Sequence, residues 1–130
     1  MGFVSDRIKG ENAEDSVAKI LSHYWDVHKA HEIEAGAFSD WDLSVAQKET
    51  GYEVFTVEVK YDEMQAKTGN IAIEIYNPRS GKPSGLTATK ATLWCHVLQG
   101  SVWITSVEKL KKFCEQATPF KSFNSVGDGN

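Results

Sequence analysis

The stretch YEVFTVEVKY (residues 52–61) decides the fold of this chain. Successive side chains of a β-strand point to opposite faces of the sheet. Here Val57 and Val59 fall on one face, whereas Glu58 and Lys60 fall on the other. Valine, phenylalanine, tyrosine and threonine are also the residue types that favour strands. The stretch therefore predicts a strand with one apolar face and one face that carries an acid and an amine.

Around this strand, hydrophobic periodicity predicts a mixed α/β domain. Apolar residues at helical spacing predict helices over residues 5–24, 87–97 and 107–116. Alternating apolar and polar residues predict further strands over residues 27–33, 40–46, 70–76 and 101–105. The predicted order is αβββαβα in a single domain over residues 1–130, with a flexible tail over residues 118–130.

The composition is that of one globular domain. The chain has 130 residues, of which 41% are hydrophobic and 25% charged, which excludes disordered and collagen-like proteins. No run of about 18 uncharged apolar residues occurs, so we expect no membrane partner. The first residues lack the apolar core of a signal peptide. We therefore expect a cytoplasmic location, with the two cysteines, Cys95 and Cys114, as reduced thiols in predicted helices.

The charges are unevenly distributed along the chain. Residues 11–58 hold eleven acidic and three basic side chains, whereas residues 59–130 hold nine basic and six acidic ones. The formal net charge of −4 argues at first against a nucleic-acid partner. Acidic residues gathered in one half of a small domain, however, either solvate its surface or converge on a cation.

Three polar residues on two neighbouring strands favour the cation. In SDWDLSV (residues 39–45), Asp42 lies on the polar face between Trp41 and Leu43. If this strand pairs with the next one through the turn near Gly51, Asp42 meets Glu58 and Lys60. Two carboxylates brought close repel each other, which favours a hard cation between them. The alternative is a solvent-facing strand with a cross-strand ion pair.

The first predicted helix adds a third carboxylate. On a helical wheel, Val17, Ala18 and Leu21 fall within about 60° of Glu14, so Glu14 lies on the face that packs against the sheet. A carboxylate that points at a core is costly unless it is paired or bound to metal. Glu14 is therefore a candidate metal ligand, and the alternative is a carboxylate at the rim that reaches water.

The order of these residues resembles the PD-(D/E)XK nuclease superfamily. The stretch KGENAEDSVAKIL (residues 9–21) is similar to the opening helix of its Holliday-junction-resolvase and phage-nuclease branches. SDWDL (residues 39–43) stands where the aspartate of the motif falls, and VEVK matches the second half of the motif. The resemblance covers about residues 5–115 and depends on the order of short motifs.

The sequence departs from the motif at one position and leaves another open. Trp41 stands before Asp42, where the motif has proline. Asp40 and Asp42 both fall on the same strand face, so either can be the ligand. Asp42 is preferred because it lies deeper in the apolar run.

The resemblance implies a restriction-endonuclease-like core, in which helices flank a central mixed β-sheet. It implies that Asp42 and Glu58 bind Mg²⁺ or Mn²⁺, with Glu14 as an added ligand and the Val59 carbonyl as a further oxygen donor. Lys60 would position or activate the attacking water. The implied reaction is hydrolysis of a phosphodiester by in-line attack.

Other candidate groups lie outside this constellation. Basic residues in predicted turns and at the start of a predicted helix are suited to phosphate contacts: Lys67, Arg79, Lys82 and Lys90. The four histidines have no zinc-binding spacing. The four tryptophans are interpreted as core or interface residues rather than platforms for nucleobases.

The sequence therefore predicts a metal-dependent endonuclease that acts on DNA, selective for branched, nicked or single-stranded structures. A homodimer would double the DNA-binding surface and provide two cuts. Two alternatives stay open: a nuclease directed at RNA, and a catalytically silent binding or assembly module that keeps the same fold.

Overall fold

The fold is an α/β arrangement of five strands and three helices, seen in a computed structural model that describes residues 3–30, 40–77 and 79–116, with side chains from residue 12 onward. In chain order the elements are α1 (Phe3–Leu21), β1 (Asp26–Lys29), β2 (Leu43–Ala46), β3 (Glu53–Tyr61), α2 (Gln65–Thr68), a 3₁₀ turn (Gly85–Thr87), β4 (Leu93–Leu98), β5 (Ser101–Ser106) and α3 (Val107–Gln116). The predicted tail over residues 118–130 lies outside the described residues. None of the helices described is long and apolar enough to cross a membrane.

The strands form one mixed sheet in the order β1-β2-β3-β4-β5. Every pair is antiparallel except β3 and β4, which are parallel. A parallel pair needs a long crossover, and residues 62–92 supply it. The predicted mixed sheet flanked by helices is therefore confirmed.

Two apolar clusters hold the helices on opposite faces of the sheet. On one face, Ala13 and Val17 of α1 pack against Val57 and Val59 of β3. On the other face, α3 packs against Trp94 of β4 through residues that include Val107, Leu110 and Cys114. The polar side chains Glu58 and Lys60 therefore share the face of the sheet that α3 partly covers.

The strand predicted over residues 70–76 is wrong. Only Tyr76 forms an isolated bridge, to Pro83. The backbone of this segment pairs instead with the returning chain, because the Leu86 N–H donates to the Glu74 carbonyl and the Ser84 N–H donates to the Ile75 carbonyl. Proline offers no N–H, so a regular ladder cannot continue through this pair.

The helix predicted over residues 87–97 is also wrong, and so is the order αβββαβα. Residues 93–98 form β4, which lies between β3 and β5 and is buried along most of its length. A short apolar run that is buried on both faces does not distinguish helix from strand by periodicity. Cys95 accordingly lies in a strand, whereas Cys114 lies in a helix as predicted.

Candidate active site

Asp42 lies at the point where the chain enters β2, beside the middle of β3. Its N–H donates to the Val57 carbonyl, and its carbonyl accepts a hydrogen bond from the Ala30 N–H, both at 2.9 Å. Its carboxylate Oδ2 accepts the Val59 N–H at 2.8 Å. The two backbone bonds fix the chain at Asp42, and the third holds its carboxylate against the edge of β3. They place the aspartate that the sequence preferred next to the E-x-K segment.

The Val59 carbonyl faces the same side of β3 as Asp42. In a strand, the N–H and C=O of one residue point to the same edge. Because the Val59 N–H donates to Asp42, the carbonyl oxygen of Val59 also points toward Asp42 rather than toward β4. The site therefore offers a backbone oxygen in addition to carboxylates.

Glu58 and Lys60 project together from one face of the same strand segment. The Lys60 Nζ lies 3.6 Å from the Glu58 Oε2, and the side chains are 38% and 12% exposed, respectively. Because its ammonium group remains accessible, Lys60 can contact a bound substrate, whereas Glu58 is largely withdrawn from solvent. The predicted juxtaposition of an acid and an amine on one strand face is present.

Thr89 completes the surroundings of Glu58, and the sequence analysis did not identify it. The Thr89 hydroxyl lies 2.8 Å from the Glu58 Oε1 and 3.1 Å from the Asp40 carbonyl. The same oxygen accepts the Ala91 N–H. The helix predicted over residues 87–97 gave no indication of this contact, because a threonine in that helix would not be expected to lie next to β3.

Gly85 allows the segment that carries Thr89 to approach the site. It has a φ of +55°, and an added Cβ would collide with the Glu74 carbonyl oxygen. The Thr89 N–H donates to the Gly85 carbonyl at 3.0 Å. Close packing of this glycine against Glu74 therefore positions the turn from which Thr89 reaches Glu58.

The carboxyl of Glu58 is electrostatically perturbed. Burial, together with the charge of Asp42, raises the pKa of Glu58 to about 7, although Lys60 and the Thr89 hydroxyl act in the opposite direction. A carboxylate with such a pKa is costly to ionise at neutral pH. A cation between Asp42 and Glu58 would remove that cost.

The donor set suits a hard divalent cation that retains water ligands. Asp42, Glu58 and the Val59 carbonyl supply oxygen, which Mg²⁺ and Mn²⁺ prefer, and Mg²⁺ commonly uses only one or two carboxylates. Among the side chains that the structure describes, from residue 12 onward, no three of His, Cys, Asp or Glu converge closely enough to hold a metal. Glu14, whose Oε1 is buried on α1, is therefore not brought into a three-carboxylate cluster.

The predicted phosphate-binding residues lie on separate exposed segments. Lys67 belongs to α2, and Arg79 and Lys82 lie in a turn closed by Asn77, whose side-chain oxygen accepts the Arg79 N–H. Only Lys90 lies beside the site, because its N–H donates to the Asp40 carbonyl at 2.8 Å. The structure thus brings together Asp42, Glu58 and Lys60, with Lys90 adjacent through its backbone.

A second polar group lies on the same face, just past the end of β3. Asp62 Oδ2 lies 2.9 Å from the His96 Nε2, and the Trp94 Nε1–H donates to the His96 Nδ1 at 3.1 Å. Because Nδ1 accepts, Nε2 carries the proton and donates it to Asp62. Asp62 also accepts the N–H groups of Gln65 and Ala72. This network closes the segment that includes α2 onto the sheet.

Comparison with known proteins gives no further assignment. No family model matches the chain, and neither a curated protein nor a solved structure is similar to it. The function is therefore inferred from the residues and the geometry of the site.

Proposed function

We propose that this chain is a metal-dependent nuclease that hydrolyses phosphodiester bonds of DNA. The observation that carries the proposal is the proximity of Asp42 to Glu58, whose pKa the charge of Asp42 helps to raise, with the Lys60 ammonium 3.6 Å from Glu58. Carboxylates in this arrangement bind a divalent cation, and an adjacent ammonium suits the charge of a phosphate. The resemblance to PD-(D/E)XK nucleases supports the same assignment.

The metal ligands in this proposal are Asp42, Glu58 and the Val59 carbonyl, with Mg²⁺ or Mn²⁺ as the cation. The bound cation would polarise a phosphoryl oxygen and lower the pKa of a bound water. Glu14 is left out of this ligand set because it does not form a cluster with the other two carboxylates.

Lys60 has the position of a group that acts on the substrate. Its side chain is 38% exposed, so the ammonium can donate hydrogen bonds both to Glu58 and to a phosphate or water in front of the sheet. Glu58 anchors it from the buried side. Lys60 is therefore the residue that would orient the attacking water or stabilise the charge that develops on the phosphate.

The exposed cations support DNA as the substrate and favour weak, salt-sensitive binding. Lys67, Arg79, Lys82 and Lys90 are exposed and can contact phosphates, but the chain as a whole carries a net charge of −4. These cations lie on separate segments rather than on one recognition element that could read a long base sequence. Selection of branched, nicked or single-stranded DNA by shape is therefore part of the proposal.

The decisive experiment is a cleavage assay with four labelled substrates. A four-way junction, a linear duplex, a single strand and an RNA are incubated with the protein in Mg²⁺ or in EDTA. We expect Mg²⁺-dependent cleavage of a DNA substrate and a loss of at least about 1,000-fold in Glu58→Gln and in Lys60→Met, which corresponds to about 4 kcal/mol of barrier.

Matched controls separate chemistry from folding. Glu53→Gln changes an exposed carboxylate on the same strand, and Lys48→Met changes an exposed amine in the preceding turn; both should cleave normally. Cleavage that survives in Glu58→Gln, or that proceeds in EDTA, contradicts the proposal. Preference for RNA would replace DNA as the substrate. DNA binding without cleavage, and without thermal stabilisation by Mg²⁺, would identify a silent binding module.

A further inference from the structure

The two edges of the sheet differ in length, charge and exposure. One edge is β1, with the sequence DVHK, which carries an acid, a base and a histidine over four residues. Within the described residues, the other edge is β5, with the sequence SVWITS, which carries no charge over six residues. Proteins protect sheet edges with charges, prolines, bulges or short strands, because an open edge pairs with other chains. β1 has such protection and β5 has none.

The middle of β5 carries large apolar side chains that are exposed on both of its faces. Trp103 is 55% exposed, Ile104 is 56% exposed and Val102 is 37% exposed. Trp103 shares the face of His96, and Val102 and Ile104 share the opposite face, where Cys95 and Val97 are buried. The ladder between β4 and β5 is regular over all six residues. The outer side of β5 is thus the edge of a regularly paired strand that carries exposed apolar side chains.

The sequence of β5 is complementary to itself in an antiparallel pair centred on Trp103. In that register Trp103 faces Trp103 of the second copy, and Val102 faces Ile104 on the other side of the sheet. Ser101 faces Thr105, so that hydroxyls also meet hydroxyls. Aromatic and β-branched cross-strand pairs of this kind stabilise a sheet. No charge is buried anywhere along the pair.

We infer that β5 is the docking edge for a second copy of this chain, which forms a twofold-symmetric dimer with a continuous ten-stranded sheet. A twofold axis perpendicular to the sheet keeps the same face upward in both copies. The two β3 strands then lie five strand spacings apart, about 24 Å at roughly 4.8 Å per spacing. Both Glu58 side chains face the same side of the assembly. This inference does not depend on the proposed enzymatic activity.

The self-association test measures molecular mass by sedimentation equilibrium. We expect the wild-type chain to approach twice its mass of 14.4 kDa as concentration rises, with dissociation on dilution because a six-residue strand pair is a small interface. Trp103→Lys and Ile104→Lys each place a charge on the edge and should leave a monomer. Tyr52→Lys, at a position that is 74% exposed before β3, should remain dimeric.

A disulfide experiment tests the register. In a Cys114→Ser background, Trp103→Cys places two sulfurs opposite each other at the symmetry centre and should cross-link on mild oxidation. Thr105→Cys should not, because residue 105 and its copy lie about 14 Å apart along the strand at roughly 3.4 Å per residue. A wild-type chain that stays monomeric at high concentration overturns the inference. So does a dimer that both lysine variants leave intact, since its interface must then lie elsewhere.

Discussion

Glu58 and Asp62 are two buried carboxylates four residues apart in the sequence. Their pKa values are shifted in opposite directions. Burial raises the pKa of Glu58 to about 7, with the Asp42 charge acting in the same direction. Burial would raise the pKa of Asp62 as well, but its bonds with His96 and the N–H groups of Ala72 and Gln65 outweigh it and hold the pKa below its ordinary value. The two sites have similar burial and different partners.

The difference indicates a different role for each carboxylate. Asp62 has donors for both of its oxygens, so its charge is stabilised by the protein itself and contributes to folding. Glu58 receives the Thr89 hydroxyl and a more distant Lys60, but it also faces a second carboxylate. These donors do not offset the raised pKa of Glu58, and an added cation would lower it. The contacts of Asp62 thus stabilise its charge in the folded protein, whereas those of Glu58 leave its charge costly, as the proposed metal site requires.

The largest effect in this comparison is expected at the structural carboxylate. Asp62→Ala leaves the His96 N–H and two backbone N–H groups in a buried region without their acceptor, which should lower the free energy of unfolding by about 4 kcal/mol. Because the pKa of Asp62 is held low, its contribution is fully present at neutral pH. It declines as the pH falls below the ordinary value of 3.8, because the unfolded chain then takes up the proton before the folded protein does.

Urea denaturation at pH 7 and at pH 3 measures this effect. The destabilisation should shrink at the lower pH, and Glu49→Ala, at an exposed position in the turn before β3, should change little at either pH. If Asp62→Ala is as stable as the wild type at pH 7, the network does not hold the segment that contains α2.

The sequence identified the site on β3 more reliably than its surroundings. Alternation in YEVFTVEVKY was strong enough to place Glu58 and Lys60 on one face, and the spacing to SDWDL was short enough to bring Asp42 alongside. These contacts are local in sequence, or lie across one antiparallel pair. Their geometry follows from the two-residue period of a strand.

The parts that sequence reasoning missed depend on contacts distant along the chain. Thr89 reaches Glu58 over a separation of 31 residues, and it does so because LWCHVL enters the sheet beside β3 instead of forming a helix. Asp62 continues the two-residue alternation of Glu58 and Lys60, so the sequence predicts that it lies on the same face of the sheet. Its partner His96 was not, since the parallel pairing of β3 with β4 sets that contact.

In the metal-free protein, ionisation of Glu58 should lower the free energy of unfolding. A carboxyl whose pKa rises from 4.5 to about 7 on folding destabilises the folded state progressively between those pH values and by a constant amount above them. The shift corresponds to about 3 kcal/mol at 1.36 kcal/mol per unit. Glu58→Gln should therefore be more stable than the wild type by about 2 to 3 kcal/mol at pH 8 and nearly equal to it at pH 4.5.

Thermal or urea unfolding in EDTA across this pH range measures the difference. Glu53→Gln, at the exposed end of β3, provides the control and should show no such pH dependence. A Glu58→Gln variant that is less stable than the wild type at pH 8 would mean that Lys60 and Thr89 already compensate the charge of Glu58. The contrast with Asp62 would then disappear.

The smallest effect is expected on removing the hydrogen bond between the Thr89 hydroxyl and Glu58. Thr89→Val keeps the volume of the side chain but removes the hydroxyl that lowers the pKa of Glu58, so that pKa should rise further. The Ala91 N–H also loses its acceptor, at a cost of about 1 kcal/mol.

Titration of the Glu58 carboxyl carbon by NMR should show the upward shift in Thr89→Val and an unchanged pKa in Thr89→Ser, which retains the hydroxyl. An equal shift in both variants would show that packing around the methyl group, rather than the hydrogen bond, controls the carboxylate. A shift only in the valine variant would establish that a hydrogen-bond donor tunes Glu58, as donors tune Asp62, in addition to the effects of burial and of the Asp42 charge.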